Sequence, residues 1–144
     1  ASGVGLKQQD VFESEGVDLG RAIIGHSGDS EDLEYLRRLM DRGSYIGMDR
    51  FGLDQFLPTA KRVATIKALC DAGYAEKMVL SHDAACYFDW APAELIPAVV
   101  PNWHFNYIPD EIIPALRGAG VSDQHIRAMT TDNPRRIFER QGGY

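Results

Sequence analysis

Three short apolar runs each end in residues able to bind a metal ion or move a proton. His26 follows Arg21-Ala-Ile-Ile-Gly, Asp49 and Arg50 follow Ser44-Tyr-Ile-Gly-Met, and Asp83 follows Lys77-Met-Val-Leu-Ser-His. A neutral imidazole and a carboxylate converging at one mouth suit Zn²⁺ or a similar ion. A catalytic zinc usually takes three protein ligands plus water, so His26 and Asp83 need further donors from elsewhere. Spacing alone reads His26 equally well as a hydrogen-bonded core histidine. Arg50 either binds an oxyanion or pairs with a carboxylate such as Asp29 or Asp83. Gly25-His-Ser-Gly-Asp29 resembles a phosphate-cradling turn before a helix but lacks the lysine of a Walker loop. Helix capping by Asp29 or Ser30 is its plainer role.

Other residues flank the same run ends. Phe51, Leu53, Phe56 and Trp90 either wall an apolar pocket or pack loop against loop. Cys86, three residues beyond Asp83, suits a pocket lining better than a nucleophile. Cys70 lies on an apolar helix face and reads as core. His104 and His125 have no partner at ligand spacing and read as structural or surface residues.

The elements that must position these residues repeat as strand then helix. A helix over about residues 6–15, ended by Gly16, precedes a strand at 21–26. Ser30 is expected to cap a helix through about Asp41, with Leu33, Leu36 and Met40 as its buried stripe. A second strand, 44–49, leads into a loop over 50–58. Thr59 is expected to cap a helix through about Ala72, with Val63, Ile66, Leu69 and Cys70 on one face and Gly73 as its stop. A third strand, 77–83, is followed by an irregular stretch, 84–106. Short helices near 109–118, 123–130 and 133–140 form a tail. This alternation predicts an α/β fold with a parallel sheet, whose function sits at the C-terminal ends of the strands. The two-residue period of a strand then groups Ile24 with His26, Met48 with Arg50, and Val79 with Asp83. One inward face is expected to carry His26, Arg50 and Asp83.

Composition narrows the partners. The net charge is −6 and the basic residues are scattered, which argues against nucleic acid. No apolar run has the length of a membrane span, and the start, ASGVGLKQQD, lacks the pattern of a signal peptide. Two cysteines make no disulfide framework, so a cytoplasmic location is expected.

Five motifs in order carry a family resemblance: Glu13-Ser-Glu-Gly-Val17, Ile24-Gly-His-Ser-Gly-Asp29, Ile46-Gly-Met-Asp-Arg-Phe-Gly-Leu-Asp54, Leu80-Ser-His-Asp83 and Asp132-Asn-Pro-Arg-Arg136. Nearly the whole chain resembles the phosphotriesterase family of the amidohydrolase superfamily, and within it the phosphotriesterase-like lactonases. The resemblance implies a TIM (β/α)8 barrel, of which residues 1–144 would be a C-terminal portion: strands six to eight, their helices and a helical tail. It implies two bridged divalent metal ions, zinc foremost, with cobalt, iron or manganese as alternatives, and a hydroxide between them that attacks a lactone or phosphotriester. On this mapping His26 is a metal ligand. Asp83 binds the other metal and accepts the proton of the attacking water. Asp29 joins a hydrogen-bonding or proton-relay network beside it. Arg50, Leu53, Phe56, Cys86 and Trp90 match substrate-facing positions.

The family's ligands on strands one, four and five have no counterpart in the chain, and a whole barrel takes about 250 residues. The expected activity of the complete barrel is hydrolysis of lactones of the acyl-homoserine type, with promiscuous action on organophosphate esters. One alternative is a catalytically silent fragment that serves as an assembly or binding module. Another is mononuclear metal chemistry on a different ester or amide. The expected partners are the small-molecule substrate, the missing N-terminal barrel half and, as an option, a second copy of the chain. The isolated chain is expected to be inactive.

Overall fold

A run of β-branched and apolar residues sits between helices in three places, and each pairs with the next as a parallel strand. A computed structural model describes residues 3–87, 92 and 94–139. β1 (Ile23–Ile24), β2 (Tyr45–Met48) and β3 (Met78–Leu80) form one sheet in the order β1-β2-β3. Ile24 registers with Ile46, Ile46 with Met78, and Met48 with Leu80. Among the described residues β1 and β3 pair only with β2. Helix α1 (Val4–Ser14) precedes β1, α2 (Leu33–Asp41) joins β1 to β2, and α3 (Thr59–Asp71) joins β2 to β3. No helix among the described residues is long and apolar enough to cross a membrane.

The strands are shorter than the sequence predicts. Left-handed residues end them on one side, and tight turns at Leu19–Arg21 and Ala75–Lys77 precede β1 and β3 on the other. Of the expected stripes, Leu36 and Met40 on α2 and Val63, Ile66, Leu69 and Cys70 on α3 are buried in one core, and Leu33 is partly buried against it. Gly16 and Gly73 end their helices at φ 77° and 88°, where a side chain would strain the backbone. The caps differ from expectation. Asp32, not Ser30, accepts from the Tyr35 amide at 3.0 Å to start α2, and the Ser30 hydroxyl instead accepts from the Asp32 amide. Thr59 does not cap α3. Asp54 reaches across the turn and accepts from both the Thr59 amide (3.1 Å) and its hydroxyl (2.7 Å). Carboxylates win both positions because a charged acceptor binds an amide more strongly than a hydroxyl does.

Sheet facing also needs correcting. Ile24, Ile46, Met48 and Met78 share the face packed on the helices, where Ile24 lies beside Gly5 and Leu39. Val79 registers with Gly47 on the opposite face. Ile24 and Met48 are therefore not on the face that carries Val79. That second face is covered unevenly: Ile23 remains 39% exposed and Val79 half-buried.

The irregular stretch after β3 contains a short helix that sequence did not suggest, α4 (Leu95–Val99). The tail runs through a π-helical turn, Ile108–Ile112, into α5 (Ile113–Gly118). It continues as α6 (Asp123–Arg127), a second π-helical turn at Ala128–Asp132, and α7 (Asn133–Phe138). Ile112, Leu116, Ile126 and Met129 bring this tail into the common core. Asn133, fully buried at the start of α7, donates to the carbonyls of Ala75 (2.9 Å) and Met78 (2.7 Å). The tail is thereby pinned to the strand that leads to Asp83. Asn133→Ala should destabilise the complete protein by about 1–3 kcal/mol, because buried carbonyls lose their donor. The check is a lowered urea midpoint at unchanged m-value.

Candidate active site

The chain's non-glycine residues with positive φ, among those described, are His26 (55°), Arg50 (60°) and Asp83 (57°). They are the residues that follow the three strands toward the C-terminal end of the sheet. A left-handed backbone at a residue with a Cβ costs about 1–3 kcal/mol and persists only where its surroundings impose it. Such a residue also interrupts the two-residue alternation of a strand, which explains how His26 and Arg50 reach the mouth from strands whose apolar residues face the helices. Arg50 meets Asp83 and shares a pocket with His26, while the parity argument behind the expected grouping of the three does not hold.

Around this mouth a chain of charges is laid out. Arg50 Nη1 lies 2.8 Å from Asp29 Oδ2, and Arg50 Nε lies 3.5 Å from Asp83 Oδ2. The same guanidinium stacks over the Phe56 ring, 4.6 Å from its centroid. Arg50 therefore draws carboxylates from the loops after β1 and β3 toward one cation, with an aromatic face behind it. Asp29 does not cap a helix as its position suggested. Its second oxygen, Oδ1, accepts from Arg62 at 2.6 Å.

His26 is held by a residue that sequence reasoning placed at a strand end but did not assign to the site. Asp49 Oδ2 accepts from the His26 amide at 2.8 Å, and Asp49 Oδ1 lies 3.2 Å from His26 Nδ1. The imidazole is half exposed (49%) and the carboxylate largely covered (12%). An ionised Asp49 keeps the proton on Nδ1, so Nε2 presents its lone pair outward. That is the orientation in which a carboxylate holds a metal-binding histidine. Burial raises the Asp49 carboxyl above the usual carboxylate range, opposed by the His26 amide, charge and ring and reinforced by the charge of Asp83. The same causes place Asp83 within electrostatic reach of the pair. A signal was present in the sequence: Asp49 stands at the same strand end as Arg50.

Asp49→Asn should separate two effects. Asparagine keeps one acceptor oxygen; with that oxygen on the His26 amide, its NH2 faces Nδ1, so the proton moves to Nε2 and metal affinity should fall about 10- to 100-fold, read by chelator competition. An acid whose folded pKa is raised favours the fold at low pH, and that contribution is lost as pH rises through the raised value. The asparagine variant should therefore lose less stability than wild type between acid and neutral pH, read as melting midpoints. Unchanged affinity would remove Asp49 from the site.

His26 and Asp83 fit the role of metal donors in type, but they make an incomplete set. Among the described residues no group of three His, Cys, Asp or Glu side chains is arranged to hold an ion.

Beside the charges lies a cavity of about 760 Å³, lined by Arg50, Leu53, Phe56, Asp83, Leu95 and Val99 among others. Its walls are mostly aliphatic, with the Arg50–Asp83 pair as its polar end. Leu53 and Phe56 line it, and α4 adds a wall that sequence did not foresee. Phe51 instead is fully buried in the core. Cys86 is exposed on the loop beyond β3, outside the described lining. Trp90 lies outside the described residues. Cys70 is buried as read, and desolvation pushes its thiol up to about 11, which leaves it inert. The loops after β2 and α4 touch closely: a Cβ on Gly52 would come within 2.2 Å of the Asn102 carbonyl oxygen.

Comparison with known proteins gives consistent relatives. The family model described as the phosphotriesterase family matches residues 1–138. The solved structure of the phosphotriesterase from Mycobacterium tuberculosis is 56% identical, with a TM-score of 0.93, over 97% of this chain and 43% of that one. A mutant of a phosphotriesterase-like lactonase from Deinococcus radiodurans is 34% identical, with a TM-score of 0.81, over 93% of this chain and 44% of that one. An aryldialkylphosphatase from Saccharolobus solfataricus is 41% identical over 93% of this chain and 43% of its own length. The chain thus spans less than half the length of each of these relatives.

Proposed function

The chain belongs to the phosphotriesterase family, and on that premise we propose that it forms the C-terminal part of a (β/α)8 barrel that hydrolyses lactones and, more slowly, organophosphate triesters. The observation that carries this reading is Arg50, which faces Asp83 at the polar end of an apolar cavity and shares a neighbouring pocket with His26 and Asp29. His26 through Nε2 and Asp83 through its carboxylate would hold divalent ions, zinc foremost, together with donors from outside residues 1–144. Such ions supply Lewis acidity and a water of lowered pKa.

The chain's own residues account for the rest. Asp83 receives a proton, and its pairing with Arg50 keeps the carboxylate directed to the polar end of the cavity. Arg50 offers N–H donors to the oxygen that gains charge as an acyl or phosphoryl centre is attacked. Asp29 orients Arg50. Leu53, Phe56, Leu95 and Val99 exclude water and accept an aliphatic tail. One cation with long apolar walls favours a lactone bearing an acyl chain over a compact triester. The two free thiols suit a reducing cytoplasm.

The complete protein at matched metal content should show a higher kcat/KM for a long-chain acyl-homoserine lactone than for an aryl phosphotriester. The opposite order on one preparation would sink the lactonase reading. A second reading, an assembly or binding module without chemistry, rests on the outer edges of β1 and β3, which have no strand partner among the described residues. A complete protein that takes up metal yet hydrolyses neither substrate would favour it.

A further inference from the structure

Arg62 sits on α3, outside the cavity lining, and its side chain is fully buried at 0% exposure. Charged side chains are almost never buried so completely unless every donor is answered. Here Nε donates to the Leu57 carbonyl (3.0 Å), and Nη1 donates to the carbonyls of Gly28 (2.7 Å) and Asp49 (3.0 Å). Nη2 donates to Asp29 Oδ1 (2.6 Å). Gly28 belongs to the loop after β1, Asp49 is the residue that follows β2, and Leu57 lies in the loop before α3. One guanidinium therefore fastens three backbone segments that surround the mouth. Gly28 permits this closeness: a Cβ there would lie 3.0–3.1 Å from the Asp49 backbone.

The carboxylate it holds is the one that holds Arg50. Asp29 divides its oxygens, Oδ1 to Arg62 and Oδ2 to Arg50. Arg50 in turn faces Asp83 and lies over Phe56. We propose that Arg62 is a positioning residue that sets the direction of Arg50 through Asp29, and with it the substrate preference of the cavity. This deepens the functional reading above and rests on it. Lysine cannot substitute. A single ammonium is a point charge with three donors, whereas the four acceptors at Arg62 lie around a planar fork. With a lysine at this position, Asp29 would be free to turn, and Arg50 would follow it or fall back on Asp83.

The test uses Arg62→Lys, Asp29→Asn and the double variant in the complete protein. Arg62→Lys should retain metal and lower kcat/KM for the long-chain lactone by roughly 10- to 100-fold, chiefly through kcat, because a misplaced Arg50 no longer meets the charge that develops in the transition state. In the Asp29→Asn background the lysine substitution should add nearly nothing, since the two act as one unit. An additive loss, or a loss confined to KM, would overturn the proposal. A readout free of activity is the side-chain Nε–H resonance of Arg50 in ¹⁵N-arginine-labelled protein. It should be protected from exchange in wild type and averaged in both Arg62→Lys and Asp29→Asn. An unchanged Arg50 signal in a folded variant refutes the link. Should Arg62→Lys fail to fold, Asp29→Asn decides by the same resonance. If the wild-type protein proves to lack lactonase activity, the functional reading falls while the resonance still judges Arg62.

Discussion

Asp83→Asn should lower turnover of the complete enzyme by about 100- to 10,000-fold, the span associated with loss of a proton-transfer group. The substitution is clean for a structural reason. Asp83 has φ 57°, and asparagine is among the few residues that accept a left-handed backbone readily. The side chain keeps its shape, and the 3.5 Å approach to Arg50 can persist as an amide carbonyl contact. What disappears is the negative charge, and with it the proton acceptor and a charged metal donor. Thermal stability should hold or rise slightly, because the Asp83 charge is one of the causes that raise the Asp49 carboxyl. The measurement is kcat at matched metal content beside a melting midpoint. Wild-type turnover with full metal occupancy would remove Asp83 from the chemistry.

A 144-residue chain prepared alone should hydrolyse neither lactone nor phosphotriester, even with added zinc or cobalt, and should sediment above its mass of 16.0 kDa. β1 and β3 each present an edge without a partner among the described residues. Unpaired strand edges attract other strands. Apolar side chains also lie open at Ile23 in β1 and at Val4 and Val11 along α1. Among the described residues no three His, Cys, Asp or Glu side chains meet, where a catalytic zinc takes three ligands. Supplying the complementary barrel portion, fused or co-expressed, should restore metal uptake and turnover together. Sedimentation and a lactone assay on the same preparation decide. A compact, active monomer would refute the fragment reading and would require a ligand set beyond His26 and Asp83.

Much of this architecture could be read along the chain because its signals are local. The stripes Leu36–Met40 and Val63–Ile66–Leu69 repeat at helical spacing, Gly16 and Gly73 stop their helices, and three apolar runs end in polar residues. Each of these signals spans one or two turns of chain. The pairing of Arg50 with Asp29 or Asp83 was one of two alternatives offered by residue type, and both contacts exist. Which face a strand residue occupies was less accessible. Alternation predicts facing only while the backbone stays extended, and nothing in the side chains of His26, Arg50 and Asp83 announces a positive φ. Phe51 and Phe56 look alike from sequence, five residues apart beside one strand. Folding buries the first in the core and lays the second beneath a guanidinium.

The supports of the site were the least legible part. Asp49 finds His26 across 23 residues, and Arg62 finds Gly28 and Asp29 across 34 and 33. A side-chain type states what a residue can donate or accept, so the chemistry of the strand ends was available before any fold was known. Partners so far apart in the chain meet only when parallel strands and their crossover helices are stacked. A fully buried arginine and a carboxylate that orients an imidazole are therefore properties of the packed molecule, because their meaning lies in the groups that packing brings to them.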